Sequence, residues 1–213
     1  MQNCPSPAAV YSGFDVIVVA SSLGGPAALA RILSVVPADF PAGIVVAQHV
    51  SAISSPCVIQ HLNRASTLPV STATDDEPIA PGRVYLAPPD HHLLITLGRR
   101  LSLTRGPKVK FCRPAAEPLF ATAAGTYRER TLGLVLTGCN TDGAVGAQTI
   151  KWMGGRVLVQ DPLSARAPAM PKAAIAAGAV DYVLPLEKIA DALIALVMVR
   201  GVAEYLRVVP TAA

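Results

Sequence analysis

Ser22, His49 and Asp142 each stand just beyond a short run of apolar or small residues, the pattern of a buried parallel strand running out to its carboxyl end. Ser22 follows Val16 to Ser21 and precedes Leu23-Gly24-Gly25-Pro26, after which Ala27 to Ile32 reads as a helix. The hydroxyl therefore sits at a strand-to-helix corner, where unpaired N–H groups and the helix dipole favour negative charge. His49 follows the strand Gly43 to Ala47, and Asp142 lies in Thr137–Gly143 after the strand Leu132 to Leu136. A hydroxyl, an imidazole and a carboxylate at such ends are the parts of acyl transfer. The imidazole takes the hydroxyl proton, and the carboxylate fixes its tautomer. The order Ser…His…Asp is unusual and the corner lacks G-x-S-x-G, but geometry rather than order defines a triad.

Each of these residues has a plainer reading. Ser22 could cap the helix with its hydroxyl. Asp142 before Gly143 could do the same for the next helix, and His49 could be a half-buried histidine. The corner could also hold phosphate, but neither G-x-G-x-x-G nor G-x-x-x-x-G-K-[ST] is present, which disfavours a nucleotide-binding domain. Asp90 and His91 follow Pro88-Pro89 and suit a turn, His61 suits a solvated helix face, and Asp75-Asp76-Glu77 a solvated loop. His91 and His92 are adjacent and lack an obvious third ligand, so no metal site is expected.

The elements that must position these residues alternate between strand and helix. Further strands are expected at Arg83–Ala87, Arg156–Gln160 and Val183–Leu186. Helices are expected at Ser51–Asn63, Pro118–Tyr127, Ala144–Met153, Pro171–Ala177 and Glu187–Leu206, and a hairpin pairs Leu93–Ile95 with Leu101–Thr104. Thr72 to Pro81 reads as a loop or short strand. This predicts an α/β, doubly wound, mainly parallel sheet with helices on both faces and a small antiparallel hairpin. One domain is expected over residues 14–207, with tails at 1–13 and 208–213.

The chain has 213 residues, 52% hydrophobic and 15% charged, enough to bury a sizeable core. Its formal net charge of +4 comes without a long basic run, which argues against nucleic-acid binding. Cys4, Cys57, Cys112 and Cys139 are scattered without a C-x-x-C pair, consistent with free thiols in a reducing cytoplasm. The N-terminus does not read as a secretory signal, and Leu193–Val199 is too short to span a bilayer, so no membrane insertion is expected.

The segments ASSLGGPAAL, IVVAQHV, EPIAPGRVYLAPPDHHL, RPAAEPLF, VLTGCNTDGAVGA and MPKAAIAAGAVDYVLPLEKIADAL occur in one collinear series from about Val16 to Leu193. Together they resemble the catalytic domain of the chemotaxis protein-glutamate methylesterases. The resemblance implies a cytoplasmic hydrolase needing no cofactor, acting on glutamyl methyl esters of bacterial chemoreceptor helices and deamidating some glutamines. By motif, Ser22 resembles the nucleophile, His49 the base and Asp142 the orienting carboxylate. The backbone N–H groups of Leu23 and Cys139 are the candidate oxyanion donors. Met170 resembles a cleft-lining residue and Arg113 a receptor-side contact.

Three departures from the family pattern stand out. Asn140 replaces a glycine of the usual G-M-G-x-D-G, tolerable if that position needs a positive φ. Ala115 and Glu117 replace a serine and an aspartate of R-P-S-V-D-x-L-F, changes expected to bear on substrate recognition. The family's receiver domain has no counterpart in the fifteen residues before the first strand, so the cleft is expected to be open without a phosphorylation step. The alternative function is a non-catalytic module that binds a receptor or signalling partner.

Overall fold

Strand β1 (Val16–Ser21) is buried along its whole length because its two faces meet two separate cores. Ile17 and Val19 point to one, Val16, Val18 and Ala20 to the other. This chain is described by a computed structural model over residues 13–51 and 53–199. In it β1 pairs in parallel with β2 (Gly43–Gln48) on one side and β7 (Thr131–Val135) on the other. β4 (Val84–Leu86) and the edge strand β3 (Val70–Thr72) continue the sheet beyond β2. β8 (Arg156–Gln160) and β9 (Tyr182–Leu184) continue it beyond β7. All pairings are parallel, in the order β3-β4-β2-β1-β7-β8-β9. β5 (His92–Ile95) and β6 (Leu101–Thr104) form the expected antiparallel hairpin.

Helices α1 (Gly25–Leu33), α2 (Ser55–Ala65) and α6 (Leu186–Met198) cover one face through Leu29, Ile32, Leu62, Ile189 and Leu193. On the other face, α3 (Ala116–Tyr127), α4 (Ala144–Trp152) and α5 (Ala169–Ala176) contribute Leu119, Phe120, Ala147, Ile150 and Ala174. Side chains such as Phe120, with no exposed surface, are each worth about 3–5 kcal/mol against truncation to alanine. The direction of sheet building reverses about β1: the chain first builds toward β2, β4 and β3, then crosses to β7, β8 and β9. In open parallel sheets, ligands bind at the carboxyl ends beside such a switch point.

The boundaries depart from the sequence reading in instructive ways. α3 begins at Ala116, ahead of Pro118, and α5 at Ala169, ahead of Pro171. First-turn amides have no intrahelical acceptor, so proline at the third position removes nothing the helix uses. β3 is an edge strand of three residues beside Pro69, too short to show a period. α2 begins at Ser55 rather than Ser51. The expected continuation of the last helix to Leu206, the tail at 208–213, and Cys4 with nearly all of the 1–13 tail lie outside the described residues. Among the described residues, no helix is long and apolar enough to cross a membrane.

Candidate active site

Ser22, His49 and Asp142 follow β1, β2 and β7, three neighbouring strands in the middle of the sheet. Parallel pairing carries their carboxyl ends out together: Ser21 lies opposite Gln48, and Ala20 opposite Val135. His49 Nε2 lies 2.8 Å from Asp142 Oδ2. The Asp142 side chain is fully buried and that of His49 is 12% exposed.

Asp142 is held by far more than the histidine. Its Oδ2 also accepts the Ala116 N–H at 2.6 Å, and its Oδ1 accepts the N–H groups of Glu117 at 3.1 Å and Gly143 at 3.0 Å. Ala116 and Glu117 open α3, so the carboxylate sits on the positive end of that helix. The simple capping reading of Asp142 is thus half right: it caps α3, not the helix that follows it, and still meets His49.

Ser22 is not a cap. The residue at that position of α1 is Gly24, in the left-handed region at φ 83°, with no side-chain cap bond. Gly143 opens α4 in the same conformation at φ 90°, one that glycine alone adopts freely. The Ser22 hydroxyl makes no hydrogen bond among the described residues. It lines an open cleft of about 580 Å³ together with His49, Gln48, His61 and Arg166. Leu23 and Cys139 N–H likewise lack acceptors among the described residues, while the Ser22 N–H donates to Thr137 and the Gly138 N–H to Ala167. The Gly24, Asn140 and Thr141 N–H groups lack acceptors there too, so a free amide alone does not single out Leu23 and Cys139.

Met170 is fully buried and lies under this corner. Its N–H donates to the Gly138 carbonyl at 3.0 Å. A Cβ added at Gly138 would come within 1.9 Å of Met170 Sδ and 2.9 Å of Ser22 Cβ. Arg113, the expected receptor-side contact, is engaged within the chain. Its guanidinium donates to Asp90 Oδ1 at 2.6 and 2.9 Å and to the carbonyls of Arg105 and Gly106, tying two loops together. That bond holds the Asp90 carboxyl below its ordinary value. Arg113 still lines a smaller pocket of about 220 Å³ with His49, Phe111 and Cys112.

A family model described as CheB methylesterase matches residues 17–193. The chain belongs to the CheB methylesterase family. A Leptospira interrogans relative is 42% identical over 183 residues, covering 86% of this chain and 95% of that protein. A Caulobacter vibrioides protein named protein-glutamate methylesterase/protein-glutamine glutaminase 2 is 40% identical, covering 82% of this chain but 52% of its own length. The crystal structure of the Thermotoga maritima CheB methylesterase catalytic domain matches with a TM-score of 0.83 at 38% identity, covering 86% of this chain and 99% of that one. The CheB fold is therefore the fold seen here, including the parallel seven-stranded sheet and the small hairpin.

Within this CheB-type site, the departures of sequence acquire physical roles. Asn140 is not among the residues with positive φ, so backbone conformation is not why asparagine stands there. Its side chain does the work instead. Oδ1 accepts the Asp142 N–H at 2.9 Å and Nδ2 donates to Cys112 Sγ at 3.2 Å. Glu117 points inward: it pairs with Lys110 at 2.9 Å and accepts the Val145 and Gly146 N–H groups at the start of α4. The Ala115 N–H donates to His92 Nδ1 at 3.2 Å, and His92 Nε2 donates to the Pro107 carbonyl at 3.0 Å, so His92 is a buried structural residue. Among the described residues, no cluster of His, Cys, Asp or Glu could hold a metal ion.

Sequence reasoning missed Gln48. Its Oε1 accepts the Ser21 hydroxyl at 2.7 Å, and its Nε2 donates to the carbonyls of Ser22 at 3.0 Å and His49 at 2.9 Å. One buried amide thus holds both neighbouring strand ends in fixed relation. A lone polar residue ending the apolar run GIVVAQ was the available signal. Thr137 has a similar place, its hydroxyl donating to the Leu23 carbonyl and accepting the Ala167 N–H, both at 2.8 Å. Arg166 was also missed: it lies against Gly24 beside the corner and makes no ion pair among the described residues.

Proposed function

We propose that this chain hydrolyses glutamyl methyl esters on helices of chemoreceptor-type signalling proteins in the cytoplasm, through Ser22, His49 and Asp142. The observation that carries this reading is the His49–Asp142 pair, 2.8 Å apart, with the buried carboxylate held by three backbone amides beside the Ser22 corner. With Nε2–H engaged on Asp142, His49 Nδ1 is the nitrogen that takes the Ser22 proton as Oγ attacks the ester carbon. The Leu23 and Cys139 N–H groups stabilise the resulting oxyanion. His49 then protonates the departing methoxide, methanol leaves, and water attacks the acyl-enzyme with His49 again as base. The same steps with ammonia as leaving group give glutamine deamidation.

The test is methanol release from a methylated chemoreceptor cytoplasmic fragment. Ser22→Ala and His49→Ala are each expected to lower turnover ~10³-fold or more. Near-native release by Ser22→Ala would sink this reading. One observation favours a non-catalytic binding module: at rest, no hydrogen bond joins Ser22 to His49 among the described residues. Catalytic bonds often tighten only on substrate binding. Tight binding of the same fragment by the wild type without methanol release would support the module.

A further inference from the structure

The two ring nitrogens of His49 have different neighbours. Nε2 faces Asp142, whose carboxylate accepts from three other donors, so the ring proton resides on Nε2 and the lone pair on Nδ1. Cys112 Sγ lies 3.7 Å from Nδ1. Asn140 Nδ2 donates to that sulfur at 3.2 Å, and Asn140 Oδ1 accepts the Asp142 N–H at 2.9 Å. His49, Asp142, Asn140 and Cys112 therefore close a hydrogen-bonded ring that begins and ends on the imidazole.

The chain sustains this ring at a conformational cost. Cys112 ends a tight turn closed by reciprocal backbone bonds with Val109, of 3.1 and 2.9 Å. Its two central residues, Lys110 and Phe111, both lie in the left-handed region, at φ 47° and 65°. Such positions are unfavourable for side chains of this kind. Lys110 Nζ anchors the turn on the Glu117 carboxylate at 2.9 Å and on the Thr141 carbonyl at 2.8 Å. Both anchors border the loop that carries Asp142, so the sulfur is held in register with the acid.

We propose that Cys112 and Asn140 are positioning residues for the base, steadying the His49 ring from the Nδ1 side while Asp142 steadies it from the Nε2 side. This rests on His49 being the base of the proposed reaction. Burial, reinforced by the negative charge of Asp142, pushes the Cys112 thiol up, so the sulfur keeps its proton and acts as a donor rather than a nucleophile. A thiol is a weak donor. It steadies the ring at rest and yields the Nδ1 lone pair to Ser22 when substrate arrives.

Kinetics and spectroscopy on the full chain test this together. Cys112→Val and Asn140→Ala are each expected to lower kcat about 10-fold with KM held, since small misplacements of a reacting group carry losses of that order. The double variant is expected to lose less than the product of the two single losses, because the Asn140–Cys112 bond is shared between them. Cys112→Ser, which keeps a donor and acceptor in place, is expected to retain more kcat than Cys112→Val. Single-variant kcat values within about two-fold of wild type, or losses that multiply, would overturn the proposal. Imidazole ¹⁵N spectra give a readout that a merely structural role would not move: sharp His49 signals in the wild type, exchange-broadened in folded Cys112→Val. Unchanged His49 signals in that variant would overturn the inference even if the wild type turned over no ester. Broadened signals beside an inactive wild type would sustain the steadying of the His49 ring by Cys112 while sinking the methylesterase reading.

Discussion

Asp142 and Glu117 start each other's helices. Asp142, just before α4, accepts the first two amides of α3, and Glu117, in the first turn of α3, accepts two amides in the first turn of α4. Asp142 is thereby part of the joint between two core helices. Its carboxylate cannot turn without unpairing the start of α3.

Glu117 should accordingly matter for stability and only indirectly for chemistry. Glu117→Ala is expected to cost about 1–2 kcal/mol in denaturant melts, the size of a lost cap, with a smaller fall in turnover than any triad deletion. Asp142→Asn is expected to lower turnover ~10³-fold or more, because an amide can present N–H where His49 needs an acceptor. Equal kinetic losses in the two variants would contradict this division of labour.

Gln48→Leu would leave the Ser21 hydroxyl and the carbonyls of Ser22 and His49 without their buried partner. The expected cost is about 1–3 kcal/mol, with turnover falling alongside. A variant as stable and active as wild type would show that the backbone pairing of β1 and β2 suffices.

Gly138→Ala would drive a methyl group into Met170 Sδ and against Ser22 Cβ. Strong loss of methanol release is expected from a chain that still folds. Met170→Ala in the same chain should recover part of it by opening space. Absence of any recovery would mean that the clash with Ser22, not the sulfur, dominates.

The Asp90–Arg113 bond gives a pH dependence of known sign. The Asp90 carboxyl is lowered by that bond, so its contribution is fully present above the ordinary carboxyl value of 3.8 and is lost as pH falls through the lower folded value. Amide exchange in the loops around Asp90 and Arg105–Arg113 is expected to be faster in Asp90→Asn than in wild type at about pH 7. The two should converge once pH has fallen below the folded value, where both are neutral at that position. A difference that persists in acid would assign the effect to shape rather than charge.

The central strands, and the placing of Ser22, His49 and Asp142 just beyond them, were legible because the strands are continuous apolar runs, each followed by a residue of distinct chemistry. What the sequence hid were cross-chain partnerships. Cys112 is 63 residues from His49, and Glu117 is 28 from Val145. Nothing local in either segment signals such a meeting. The helix starts at Ala116 and Ala169 were obscured by prolines, which usually mark a boundary but here occupy amide positions with no intrahelical duty. Nothing in the RP motif tells that the Arg113 guanidinium is bound by the carbonyls of Arg105 and Gly106.

Ser22, His49 and Asp142 hang from β1, β2 and β7, so their mutual distances are set by the twist and spacing of three central strands. Such strands open only when the whole molecule does. Heat should therefore abolish activity and melt the core at one temperature, with no early inactivation step. The rim of the sheet is under no such obligation. Near β3 or β9, far along the sheet from the three strand ends, lengthened connections could accumulate over evolutionary time without disturbing the chemistry.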